Sequence, residues 1–248
     1  KNYNRTFQFA KGKYFKWAGH DDVCEPTFLE KCFNIIDSNP DVVLCYPKAY
    51  IINEKGNNKG VYTENLHNMA EKPHQRFYKL LETYGWYHAT QAFGLMKSDF
   101  LRKTSLIGNY AQSDRVLLGE LALYGKFAEV PEFLFNRRVH AKICQKANTS
   151  DESMASWFDP KNLGKINLPQ LRRYLEFFRA IQRAQINNSD KLLSCFAMVR
   201  RLILSPGFFL RIQGMSLEVM KSIILSTNKN RTVETQNKAA ESSEVVKV

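Results

Sequence analysis

The sequence predicts an α/β layered domain followed by a helical extension. Three observations predict it. Short β-rich runs alternate with segments of helical periodicity as far as about residue 150. Strand signals stop there, and three consecutive amphipathic helical segments follow. Hydrophobic residues make up 44% of the 248, enough to fill the core that such layers need.

Taken in order, residues 3–10 have helical spacing, with Phe7 on the apolar side. GKYFKWAG is the first strand, an aromatic run expected to be buried. PTFLEKCFNIIDSNP is a helix opened by Pro26 and stopped at Asn39-Pro40, with Phe28, Leu29, Cys32, Ile35 and Ile36 at helical spacing. DVVLCYPKAYII is a buried strand, and NEKGNNKG is the turn after it. HQRFYKLLETY is a helix, HATQAFGLMK a strand, and SDFLRKT a short helix capped by Ser98. SDRVLLGELALYGK is a helix capped by Ser113 or Asp114 and ended by Gly125. FAEVPEFLFNRRVH holds two short strands around Pro131. Beyond it, LPQLRRYLEFFRAIQRAQ, SDKLLSCFAMVRRLIL and FLRIQGMSLEVMKSIIL are helices, and the polar, aromatic-free stretch from Thr227 to Val248 is expected to be disordered. The division is therefore 1–150 for the α/β domain, 151–226 for the helical extension and 227–248 for the tail.

Composition narrows the partners. Lys+Arg 36 against Asp+Glu 24 gives a net charge of +12, which favours an anionic partner: nucleic acid, a phosphate-bearing small molecule or an acidic membrane face. The five cysteines are odd in number and form no Cys-x-x-Cys pair. That argues against a disulfide scaffold or a structural zinc site and points to a reducing, cytoplasmic setting with the cysteines as core fillers. No apolar run approaches the ~20 residues that span a bilayer. The chain opens at Lys1 rather than Met, inside a helical pattern, which suggests an upstream segment.

The stretch KWAGHDDVCEP carries the sharpest chemical question. Asp21 and Asp22 stand side by side between a core strand and a helix. Adjacent like charges repel unless a cation or a set of donors neutralises them. A divalent metal would do so, and so would water around a simple turn. For Asp114 the plain reading is a helix cap, and for Arg137-Arg138 a charged strand edge. Alternation along that strand puts Arg138 and His140 on one side and Arg137 on the other.

Four elements in order then carry a resemblance. They are AKGKYFKWAGHDD with Pro26 four residues after Asp22; a strand near 90–97; SDRVLLGELALYGKFAEVPE; and RRVH. Ala10, Gly12, Tyr14, Asp21, Asp22, Asp114, Gly125, Pro131, Glu132, Arg138 and His140 supply the matching positions. Over residues 3–143 the chain resembles the family 2 glycosyltransferases, which have the GT-A fold. The resemblance implies a GT-A-like mixed sheet flanked by helices, incomplete at the N-terminus, where about 80 residues that grip the nucleotide would precede Lys1. It implies an enzyme that transfers a sugar from a nucleotide-diphosphate donor to a hydroxyl acceptor with inversion, in polysaccharide or glycolipid synthesis. Asp22 would ligate Mg²⁺ or Mn²⁺, Asp21, Arg138 and His140 would serve the donor diphosphate, and Asp114 would be the general base. This chain departs from the family pattern at Gly19, where an acid is common, at His20, and at Ser113 in place of Glu.

Two other readings stay open. One is a non-catalytic glycan-binding or accessory protein on a degenerate GT-A scaffold, favoured by the missing upstream half. The other is a basic nucleic-acid-binding α/β protein, disfavoured because no recognisable motif for it occurs. The basic C-terminal helices, with Arg172, Arg173, Arg179, Arg183, Arg200, Arg201 and Arg211 among Leu, Phe and Ile, either pack on the domain, lie on the anionic inner face of the cell membrane beside a lipid-linked acceptor, or bind nucleic acid, in that order of preference.

Overall fold

The structure, a computed structural model, describes residues 2–83, 89–140, 150–158, 160 and 169–204. Six strands form one curled mixed sheet: β1 (Tyr14–Phe15), β2 (Val23–Cys24), β3 (Val42–Ile52), β4 (Asn58–Val61), β5 (Leu95–Lys97) and β6 (Lys126–Arg138). The order is β1-β5-β3-β6-β2, with β4 also paired to β3. β3 and β6 run parallel and the other pairs antiparallel. The apolar run Val42–Tyr46 suits the central position of β3, because all five side chains are buried.

Among the described residues the helices are α1 (Asn2–Phe9), α2 (Phe28–Ser38), α3 (Pro73–Thr83), α4 (Ser98–Leu101), α5 (Ser113–Tyr124), α6 (Asp151–Phe158), α7 (Pro169–Arg183) and α8 (Asn188–Ile203). On one sheet face, Phe28, Cys32 and Ile36 of α2, one turn apart, pack on Val42, Cys45, Ala128 and Phe135. On the other, Leu117, Leu118 and Leu121 of α5 pack on Leu44, Met96 and Phe127. α7 and α8 add an outer layer: Phe177, Ile181 and Met198 meet Phe77, Leu81, Val116 and Leu123. Close approach there needs Gly119, since a Cβ on it would stand 2.5 Å from the Phe177 ring.

One ion pair ties this outer layer down. Glu120 is fully buried, and its carboxylate accepts from Arg183 Nε at 2.9 Å, Arg183 Nη2 at 3.0 Å and the Ser105 peptide N–H at 3.0 Å. Truncating the arginine leaves a buried carboxylate without its counter-charge. Arg183→Ala is therefore expected to cost about 3 kcal/mol, read as a lower midpoint in urea unfolding.

Several elements differ from expectation. The first strand is only Tyr14–Phe15, and Lys16–Asp22 is irregular, so the acidic pair precedes the two-residue β2 instead of entering a helix directly. Thr90–Phe93 is a 3₁₀ turn, and only Leu95–Lys97 of that segment is strand. Asn58–Val61 of the expected turn pairs with β3. The run around Pro131 is one strand with a bulge: Val130 lies opposite Pro47 and Phe133 opposite Lys48, so Pro131 and Glu132 fall outside the register, where a missing N–H is tolerated. Ser98 does not cap α4; its hydroxyl donates to the Gly12 carbonyl at 2.7 Å. Gly125 does end α5, but in extended backbone, where a Cβ would lie 2.2 Å from Val43 Cγ1. Cys32 and Cys45 are core residues, whereas Cys24 is exposed. Cys144, Trp86, His88, the third C-terminal helix and the tail lie outside the described residues.

Candidate active site

The acidic pair is held by the far end of β6. The peptide N–H of Arg138 donates to Asp22 Oδ1 at 2.9 Å. The Arg138 guanidinium donates through Nε to the Asp21 carbonyl at 2.8 Å and through Nη1 to the carbonyls of Asn53 and Glu54, each at 2.9 Å. His140 Nε2 lies 3.0 Å from Asp21 Oδ2, and His20 Nδ1 lies 3.7 Å from Asp21 Oδ1. Arg138 and His140 thus both reach the acidic segment. Arg138 does so chiefly as a clamp on main-chain carbonyls, a geometry its planar fork suits.

Asp22 is half-buried, and burial pushes its carboxyl above the usual aspartate range; the Arg138 N–H, Arg137 and Lys16 pull in the other direction. The departure at Gly19 has a local reason. A Cβ there would stand 2.7 Å from Asp22 Oδ2, so any larger residue would displace the carboxylate.

Asp114 sits in the first turn of α5. The helix begins after Gln112, whose backbone is left-handed (φ 67°), and no side chain caps it. Asp114 Oδ1 accepts instead from the adjacent Arg115 N–H at 2.9 Å. The expected cap by Ser113 or Asp114 is thus absent, and Asp114 is not spent on the bond that would make it one. Protein surrounds it closely enough that burial raises its pKa, against the opposing charges of Arg115 and Arg137.

Two further side chains connect these groups, and neither was among the predicted site residues. The Tyr3 phenol is raised first by burial and then by the charges of Asp114, Asp22 and Asp21. Arg137 lies within electrostatic reach of Asp22, Asp114, Tyr3 and Glu64. The charges of Asp21, Asp22 and Asp114 thus all act on Tyr3, and that of Arg137 acts on both Asp22 and Asp114. Nothing local in the sequence marks Arg137 as a charge acting on Asp114. Tyr3 reaches the site through α1, where Trp17 Nε1 donates to its carbonyl at 3.0 Å.

Could this region hold a hard divalent ion? No group of three or more His, Cys, Asp or Glu side chains with metal-binding geometry occurs among the described residues. An ion of the Mg²⁺ class needs no such cage, since it retains waters and takes one or two carboxylates plus phosphate oxygens. Asp22 is a carboxylate of the kind such an ion takes; its Oδ1 is engaged by the Arg138 N–H, so Oδ2 is the oxygen it would offer.

Residues 1–104 match the family described as Glycosyl transferase family 2. An uncharacterised glycosyltransferase of Methanocaldococcus jannaschii is 37% identical over 54 residues, 22% of this chain and 19% of that protein, so the match spans about a fifth of the relative's length. The curled mixed sheet between layers of helices is what a GT-A-like fold requires. Over residues 1–104, under half of the chain, the sequence is similar to glycosyl transferase family 2.

Proposed function

We propose that the protein is an inverting glycosyltransferase, moving a sugar of the hexose class from a nucleotide-diphosphate donor to a hydroxyl acceptor in polysaccharide or glycolipid assembly. The observation that carries this reading is the match of residues 1–104 to glycosyl transferase family 2, beside the contacts that tie Asp21 to His140 and Asp22 to Arg138. Asp114 takes the proton from the acceptor hydroxyl as that oxygen attacks the anomeric carbon, opposite the departing diphosphate. Its raised pKa suits a base, because a carboxylate of ordinary acidity accepts a proton poorly. Asp21 is oriented by His140 and, with Arg138 and His140, lines the donor side. Asp22 would hold Mg²⁺ or Mn²⁺, which when bound neutralises charge developing on the leaving phosphate oxygens. Screening nucleotide-sugars for thermal stabilisation of the full-length protein, with and without Mn²⁺, tests the reading: a metal-dependent rise with one donor class is expected, and no rise with any would refute it.

The acceptor is proposed to be a glycan or a lipid-linked sugar met at an anionic membrane face. Among the described residues no helix is long and apolar enough to cross a membrane. Yet Leu192, Phe196, Val199 and Ile203 form an exposed stripe at helical spacing on α8, with Phe196 66% exposed. Lys191, Arg200 and Arg201 occur on the same helix. Apolar area beside basic charge is what a headgroup region binds. Phe196→Asp is expected to cut co-sedimentation with phosphatidylglycerol-containing vesicles about tenfold, and unchanged sedimentation would contradict the contact.

A further inference from the structure

The helical extension grips the loop from which Asp114 projects. That loop is the turn Tyr110–Ser113, where the Ser113 N–H donates to the Tyr110 carbonyl at 3.3 Å. α5 starts from it: the Gln112 carbonyl accepts from the Arg115 N–H at 3.1 Å and from the Val116 N–H at 3.4 Å. Asp114 lies inside the turn that these bonds close, so the backbone of Gln112 sets where its side chain leaves the helix. That backbone is left-handed, at φ 67°. For a residue with a Cβ and a long side chain the left-handed region is unfavourable, because Cβ crowds the following carbonyl oxygen. Something has to hold Gln112 there.

Two neighbouring arginines of α7 reach this turn. Arg173 Nη1 donates to Gln112 Oε1. The Arg172 guanidinium lies over the Tyr110 ring, its Cζ 5.2 Å from the ring centroid. Tyr110 also packs on the apolar cluster that holds Phe177 and Ile181 of α7. Further along, Phe177 closes on Gly119 and Arg183 pairs with buried Glu120. α7 therefore meets α5 both before its first turn and along its length.

We propose that Arg173 is a positioning residue: it holds Gln112 in the left-handed conformation and thereby fixes the first turn of α5 and the direction of Asp114. A hydrogen bond from a guanidinium is strong enough to outweigh one unfavourable backbone state. The helical extension is then part of the site and not only a layer around it. What Asp114 does rests on the glycosyl-transfer reading, whereas the clamp on Gln112 does not.

The test compares the full-length wild type with Arg173→Met, Gln112→Ala and Gln112→Gly. Hydrogen exchange at the Arg115 and Val116 amides reads the clamp, since both donate to the Gln112 carbonyl. Arg173→Met and Gln112→Ala should each speed that exchange about tenfold. Gln112→Gly loses the same contact but adopts a positive φ without strain, so its exchange should stay within about twofold of the wild type. Gln112→Ala carries the comparison if Arg173→Met loses its circular-dichroism signal. Unchanged exchange in Arg173→Met, or equal acceleration in Gln112→Ala and Gln112→Gly, would overturn the clamp. In sugar transfer, Arg173→Met should lower kcat about tenfold with the donor KM unchanged, and should lower the residual rate of Asp114→Asn no further. A loss that adds to that of Asp114→Asn would remove the positioning role. A wild type that transfers no sugar while the exchange pattern holds would uphold the clamp and remove the transferase reading instead.

Discussion

Asp114→Asn is expected to lower sugar transfer by about a thousandfold in the full-length protein while leaving donor binding intact. An amide matches the shape of the carboxylate but cannot accept the acceptor proton. The same substitution separates this role from that of a helix cap. Asp114 does not cap α5, and its pKa is raised in the folded protein, chiefly by burial. A carboxyl with a raised folded-state pKa favours the folded state fully only below its unfolded-state pKa, and that contribution is lost as pH rises through the folded-state value. At neutral pH the charged group is therefore a liability, and Asp114→Asn should leave thermal stability unchanged or higher. A variant that is both inactive and less stable would indicate a structural role. The same shift fixes the sign of the pH profile. The wild-type kcat/KM should fall on acidification through a pKa above the ordinary aspartate range, and this limb should vanish from the residual activity of the asparagine variant.

Asp22→Asn is the second large effect, with a different signature. Its Oδ1 accepts the Arg138 N–H, and its Oδ2 packs against Gly19. The amide can preserve the first contact through its oxygen, so the loop should keep its shape. What it loses is the charge that would hold a divalent ion. Transfer should fall at least a hundredfold, as is typical when a charge-stabilising group is removed, and Mn²⁺-dependent nucleotide binding should weaken with it. Asp114→Asn should leave that binding unaltered. Normal turnover in both variants would refute the assignment.

Much of the fold was legible because it rests on periodicity. α2 and α5 were apparent from apolar spacing, and β3 from an unbroken apolar run, since burial on both faces leaves no room for polar alternation. The errors lie where tertiary pairing decides. Thr90–Phe93 has strand-like composition but pairs with no strand among the described residues, so it coils into a 3₁₀ turn. Pro131 reads as a break, yet β3 carries the chain past it by opposing two bulged residues with none. The cap at α5 was misread because the left-handed Gln112 sets the helix start, a backbone fact that side-chain types do not announce.

The site was legible in part. Asp21, Asp22, Asp114, Arg138 and His140 could be named because a family pattern orders them along the chain, and the fold joins Asp21 to His140 and both acidic residues to Arg138. Arg137 and Tyr3 could not, because their relation to the acids is electrostatic and long-range: Tyr3 is more than a hundred residues from Asp114.

The central claim is that the acidic pair and Asp114 serve opposite halves of one reaction centre. Thermal melting of the wild type, Asp22→Asn and Asp114→Asn with a nucleoside diphosphate, each with and without Mn²⁺, tests it most directly. The account predicts a metal-dependent rise for the wild type and Asp114→Asn, and none for Asp22→Asn. An equal rise in all three would contradict it.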